Sequence, residues 1–229
     1  MLFRVLALMP IFVLVLLSNA KAHHPGVDLD EAMGSKEQYF QLIDEPAPSF
    51  SLADVNGDPV ALEDFSEKIV IIQFIYTSCP DVCPLHADKI AEVQEMVNRT
   101  PMKDTIQFIS ITTDPKHDGP DVLRAYGRDH GLKPVNWTFL TARSDQDEDS
   151  TRQLAETYGH KFMKTDGGFQ SHGVVTHVID YEGRWAANFH GLRFKSVNLV
   201  LYLNGLVNSR YGPSKEPDTS WWERIKSIF

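Results

Sequence analysis

IVIIQFIYTSCPDVCPLH, residues 69–86, decides the fold. Its first eight residues are an apolar, β-branched run with Gln73 as its one polar member, the pattern of a strand buried on both faces. Cys79 and Cys83, the only two cysteines of the chain, follow at once, each with a proline behind it. Beyond them Ile90, Val93 and Val97 recur at helical spacing. The dithiol therefore lies between a buried strand and the start of a helix. In open α/β sheets that place, the carboxyl end of a strand, is where sites form.

Working outward, PSFSLADVNGDPVALEDF reads as two short strands around Asn56-Gly57, a strong hairpin signal. A second buried strand, IQFISIT (106–112), is followed by a helix around Val122, Leu123 and Tyr126 and a strand at 136–142. The acidic SDQDEDS leads into a helix with Leu154, Ala155 and Tyr158. GVVTHVID and GRWAANFH flank Tyr181-Glu182 as an antiparallel pair, and a last helix runs from Ser196 through Leu206. Strands alternating with helices, then a terminal hairpin and helix, give an α/β class with a mixed sheet flanked by helices. The domain spans residues 46–210, with a polar N-terminal arm at 23–45 and a separate tail at 211–229. Trp221, Trp222, Ile225, Ile228 and Phe229 of that tail fit a short amphipathic helix.

Residues 1–22 carry one Arg, an apolar run too short for a membrane span, and Ala20-Lys21-Ala22, an A-x-A cleavage pattern. They read as a secretory signal peptide, which places the protein in the periplasm or cell envelope; membrane contact is expected only if the segment is retained. Cleavage removes Arg4 and Lys21 and moves the net charge from -9 to -11. So acidic a surface argues against nucleic acid as a partner.

The cysteines admit three readings: a redox disulfide, a metal clamp, or a structural pair. A disulfide closing so small a loop restrains the unfolded chain little, which disfavours the structural reading. With Asp81 as N-cap, Cys83 falls at the second helical position and Pro84 at the third, where no N–H is needed. The positive end of the helix dipole then favours thiolate, the form that is both nucleophile and metal ligand. Two thiolates suit Cu(I), and a third ligand completes a trigonal site. Among nine histidines, His86 and His117 lie near turns, and His130, His160 and His190 read as surface positions or helix ends. His172 and His177 bracket one strand, His172 at its entrance and His177 inside it as a hydrogen-bonded core residue.

FIYTSCPDVCPLH resembles the signature of the Sco/SenC family, thioredoxin-like copper-binding proteins of the mitochondrial inner membrane and bacterial envelope. FSLADVNGDPVALEDFSEKIVIIQFIY resembles the family's opening hairpin and first core strand, and SITTDPKHDGPDVLRAYGRDHG its Asp-Pro-x-x-Asp segment and following helix. The resemblance covers roughly residues 46–208. It implies a thioredoxin-like fold and copper, as Cu(I) or Cu(II), held by Cys79, Cys83 and His172, with Gly183 as the turn glycine after the histidine's strand. It further implies a copper-receiving respiratory oxidase subunit as partner, with assembly of the dinuclear copper centre of cytochrome c oxidase as the task. Two features depart from the family pattern: Ser171 and Gly173 flank the histidine where Asp and Ser or Thr are usual, and the signal looks cleavable. His177 is therefore the reserve ligand. His23-His24, at the expected mature terminus, is either a processing remnant or a weaker Cu(II) site. The competing class is a thiol–disulfide oxidoreductase, in which an exposed Cys79 attacks and Cys83 resolves.

Overall fold

The computed structural model describes residues 27–165 and 168–210. The expected signal segment, His23-His24 and the C-terminal tail lie outside the described residues. The elements run α1 (Val27–Lys36), β1 (Phe40–Pro46), β2 (Ser51–Asp54), β3 (Pro59–Ala61), β4 (Ile69–Ile75), α2 (Val82–Asn98), β5 (Ile106–Thr112) and α3 (Pro120–Asp129). They continue with β6 (Trp137–Thr141), α4 (Ser150–Thr157), β7 (Lys161–Thr165), β8 (Gly168–His172), β9 (Val175–Ile179), β10 (Arg184–His190) and α5 (Ser196–Ser209).

Among the described residues eight strands form one sheet in the order β1-β10-β9-β4-β5-β6-β2-β3, and β7 and β8 form a separate hairpin. β4, β5 and β6 are parallel neighbours, while β9 joins β4 antiparallel, so the sheet is mixed as expected. Every residue of β4 and of β5 is buried, as expected of central strands covered on both faces, and their polar members Gln73 and Ser110 bond to each other. Alternate side chains serve opposite layers. Ile69, Ile71, Phe108 and Val178 pack with Ile90, Val93 and Val97 of α2 and Leu199 and Leu203 of α5. Val70, Ile72, Phe74, Ile109 and Ile111 face Phe50, Leu140, Ala155, Tyr158 and Trp185. Gly183 has a φ of +78°, as the turn between β9 and β10 demands. No helix among the described residues is long and apolar enough to cross a membrane.

The structure differs from the sequence reading at residues 27–46. In place of a polar arm it has α1 and an edge strand paired antiparallel to β10. The acidic residues that suggested a solvated segment have partners far along the chain. The Tyr202 hydroxyl donates to Asp30 at 2.6 Å, and Asn198 Nδ2 donates to Glu37 at 2.8 Å. Arg184 donates to Asp30, Asp44 and Asp180, joining α1 and β1 to the β9–β10 turn.

The α2 interface is the seat of the dithiol, and Ile90 lies at its centre with no exposed surface. Ile90→Ala should cost about 2–5 kcal/mol in chemical denaturation, the usual range for truncating a buried aliphatic side chain. A loss below about 1 kcal/mol would contradict this packing.

Candidate dithiol site

The site begins where β4 ends. After Ile75 the chain turns, with the Cys79 N–H donating to the Tyr76 carbonyl at 3.2 Å, and α2 starts at Val82. Cys83 and Pro84 thus occupy the second and third helical positions, as read from the sequence. Asp81, however, makes no side-chain cap. Its place is taken by sulfur: the Cys83 N–H donates to Cys79 Sγ at 3.4 Å. A helix N-terminus leaves its first N–H groups without intrahelical partners, and here one of them points at a thiol.

The two thiols are unequal. Burial alone would raise Cys79, but hydrogen bonds from the Tyr76 hydroxyl, the Asp81 N–H and Cys83 outweigh it, leaving its pKa below the ordinary value. Cys83 is pushed up to about 12, first by burial and then by its hydrogen bond to Cys79 and the Asp118 charge. One site therefore holds a thiolate-prone sulfur beside a proton-retaining one. Both are buried, Cys79 at 5% and Cys83 at 9% exposure, which corrects the expectation of an exposed Cys79. Neither forms a disulfide.

Two groups that were given no role from sequence hold this turn. Asp118, buried at the end of the Asp-Pro-x-x-Asp segment, accepts from the Thr77 N–H at 3.0 Å, from the Thr77 hydroxyl, and from the Thr112 hydroxyl at 2.5 Å. One carboxylate thereby ties the cysteine loop to the end of β5. The spacing of that segment was the available signal, since a carboxylate just past a buried strand is placed to reach its neighbour. Tyr126 of α3 donates its hydroxyl to the Cys83 carbonyl at 3.0 Å and fixes the first turn of α2 from the other side.

His172 is the last residue of β8, where its backbone pairs with Lys161 of β7. Its side chain lies outside what the structure describes. Among the described residues no three His, Cys, Asp or Glu side chains converge on a metal-sized space. His177, the reserve ligand, is fully buried in β9 and has both ring nitrogens engaged, with His160 and with Asn188. His160 is not a surface residue but is buried, and His86 is buried against the Thr176 hydroxyl at 2.8 Å. His117 pairs with Asp114 at an exposed position, and His130, which is partly buried, pairs with Asp88. The soft donors brought together are Cys79 and Cys83, a pair whose chemistry suits a thiophilic ion or disulfide exchange.

A sheet of this topology with a dithiol at the junction of β4 and α2 defines a thioredoxin-like protein. The sequence model of the SCO1/SenC family matches residues 41–198, and the chain belongs to that family. A SCO2-like protein of Rickettsia prowazekii is 31% identical over 145 residues, covering 62% of this chain and 67% of that protein. A SCO1/SenC family lipoprotein from Bacillus anthracis superposes with a TM-score of 0.65 at 20% identity, covering 73% of this chain and 98% of that one. ScoI of Bradyrhizobium japonicum, a structure with copper bound, superposes with a TM-score of 0.57 at 25% identity, covering 70% and 99%.

The inequality of the thiols has a direct consequence in the reduced protein. A group with a lowered pKa gains thiolate at lower pH, so alkylation of Cys79 by iodoacetamide should accelerate first as pH rises. Cys83 should stay largely unmodified at pH 8, well below its pKa of about 12. Peptide mapping by mass spectrometry checks this; preferential alkylation of Cys83 would contradict the assignment.

Proposed function

We propose that this protein is an envelope copper chaperone. It binds one copper ion through Cys79, Cys83 and His172, and delivers it to, or prepares the thiols of, a copper-dependent respiratory oxidase subunit. The observation that carries the reading is the pair of converging cysteine sulfurs at the α2 N-terminus, in a chain of the SCO1/SenC family. Copper bound to the Bradyrhizobium relative supports it. Two sulfurs are a soft set that holds Cu(I), and a three-coordinate site stays open to a fourth, incoming ligand. Copper is cargo here. A thiol of the acceptor enters as Cys79 or Cys83 leaves, and the ion passes through shared intermediates without becoming free. Cys79, with its lowered pKa, gives up its proton to bind more readily than Cys83, which is held protonated by burial and regains its proton on release. The dinuclear copper centre of cytochrome c oxidase is the destination this reading assigns. Export through residues 1–22 places the protein on the side of the membrane where that transfer occurs.

A second reading rests on the same inequality. The Cys79 thiolate attacks a disulfide of the target and displaces one of its sulfurs; Cys83 then resolves the mixed disulfide. The target leaves as a dithiol, Cys79 and Cys83 become a disulfide, and an external thiol reductant restores them. Metal transfer needs His172, whereas plain exchange does not.

Competitive titration of the reduced protein with Cu(I) separates the two. One equivalent should bind tightly, and His172→Ala should weaken it by one to two orders of magnitude while leaving disulfide exchange intact. Absence of tight copper would leave the oxidoreductase as the better account. Tight copper indifferent to His172 would remove that residue from the ligand set.

A further inference from the structure

We propose that His160 and His177 are positioning residues for His172. They form an imidazole chain of enforced tautomers that pins the root of the β7–β8 hairpin. The proposal rests on the copper-site reading above.

The chain starts at Trp185 Nε1, which can only donate, and which lies 2.8 Å from Asn188 Oδ1. That atom must therefore be the amide oxygen, an acceptor. His177 Nδ1 lies 2.7 Å from the same oxygen, so Nδ1 carries the proton of His177. Its Nε2 is then a lone pair, and it faces His160 Nε2 at 2.9 Å. His160 must donate from Nε2, which leaves its Nδ1 as an acceptor. One indole N–H thus dictates the tautomers of two imidazoles. Burial keeps both neutral, holding His160 down to about 4 and His177 well below its ordinary value. The rings are clamped as well. His177 packs on Tyr158 at 5.1 Å and Trp185 at 5.4 Å between centroids, and His160 packs edge-on against Phe74 at 4.9 Å.

The position of the chain gives it its role. β7 and β8 form a sheet of their own, without a ladder to the main sheet among the described residues. Side chains at the hairpin root must therefore seat it. His160 is the residue immediately before β7, and the first residue of β7, Lys161, pairs with His172. The bond from His160 to His177 thus joins the main sheet to the rung of the hairpin on which His172 stands. An apolar ring at residue 160 would fill the same space without fixing that rung.

The test uses the reduced, full-length protein with Cu(I) and a chromogenic competitor, and the Cu(II) form for electron paramagnetic resonance. His160→Phe keeps the ring but removes the donor; it should weaken copper 10- to 100-fold, the usual effect of losing a group that orients a ligand. It should also lose the imidazole nitrogen hyperfine structure, and add nothing to the loss caused by His172→Ala in the double variant. His160→Gln, whose amide can still donate to His177 Nε2, should restore affinity to within a few-fold. Affinity unchanged in His160→Phe, or losses that add in the double variant, would overturn the inference alone. Affinity indifferent to His172→Ala would overturn the copper-site reading and this inference with it. If His160→Phe does not fold, ¹⁵N spectra of the unmodified protein decide. Protonated Nδ1 on His177 and Nε2 on His160, with the His160 resonances shifting on Cu(I) loading, support the chain; the opposite tautomers, or no shift, overturn it.

Discussion

The first turn of α2 directs a free N–H at sulfur rather than at a side-chain oxygen, and the rest of the structure serves that arrangement. A helix start needs acceptors for its N–H groups, and Cys79 Sγ supplies one to Cys83. The same N–H groups and the helix dipole favour negative charge on that sulfur. Capping and thiolate stabilisation are thus one interaction. It requires the end of β4 to deliver Cys79 to the start of α2 at a fixed angle. Asp118 holds the delivering loop to β5, Tyr126 holds the receiving turn, and the buried faces of Ile90 and Val93 hold the helix on the sheet.

That arrangement separates two thiols of identical intrinsic chemistry. Cys79 accepts hydrogen bonds that stabilise its charge, while Cys83, whose charge burial disfavours, sits next to sulfur and carboxylate that destabilise it further. For the carrier role proposed above the difference matters: a site of two committed thiolates would hold a soft cation firmly, whereas one that regains a proton on release can let it go. In the proposed reading the buried imidazole chain seats the β7–β8 hairpin, which among the described residues has no strand ladder to the main sheet.

Much of this was legible in the sequence. β4 announced itself by its apolar, β-branched run and β5 by the β-branched IQFISIT, the β2–β3 turn by Asn56-Gly57, and the position of Cys83 in α2 by Pro84. The parts that were not legible share one physical cause, which is long-range pairing of polar residues. Asp30 and Glu37 read as solvent-facing because their partners, Tyr202, Arg184 and Asn198, lie more than 150 residues away. His160 read as a surface residue because its partner is on another strand inside an aromatic pocket. The β7–β8 hairpin was not read because the glycine-rich KTDGGF looks like a loop in sequence. Asp81 had the residue type of a cap, but a sulfur was better placed. Local patterns report the apolar layers faithfully; they are silent on polar groups whose burial is compensated from elsewhere in the chain.

Whether Cys79, Cys83 and His172 share one copper ion is decided by X-ray absorption at the copper edge of the Cu(I)-loaded protein. A shared site gives a three-coordinate shell of two sulfurs and one nitrogen, with the outer-shell scattering of an imidazole that disappears in His172→Ala. A shell of sulfur alone, or one without sulfur, would contradict it.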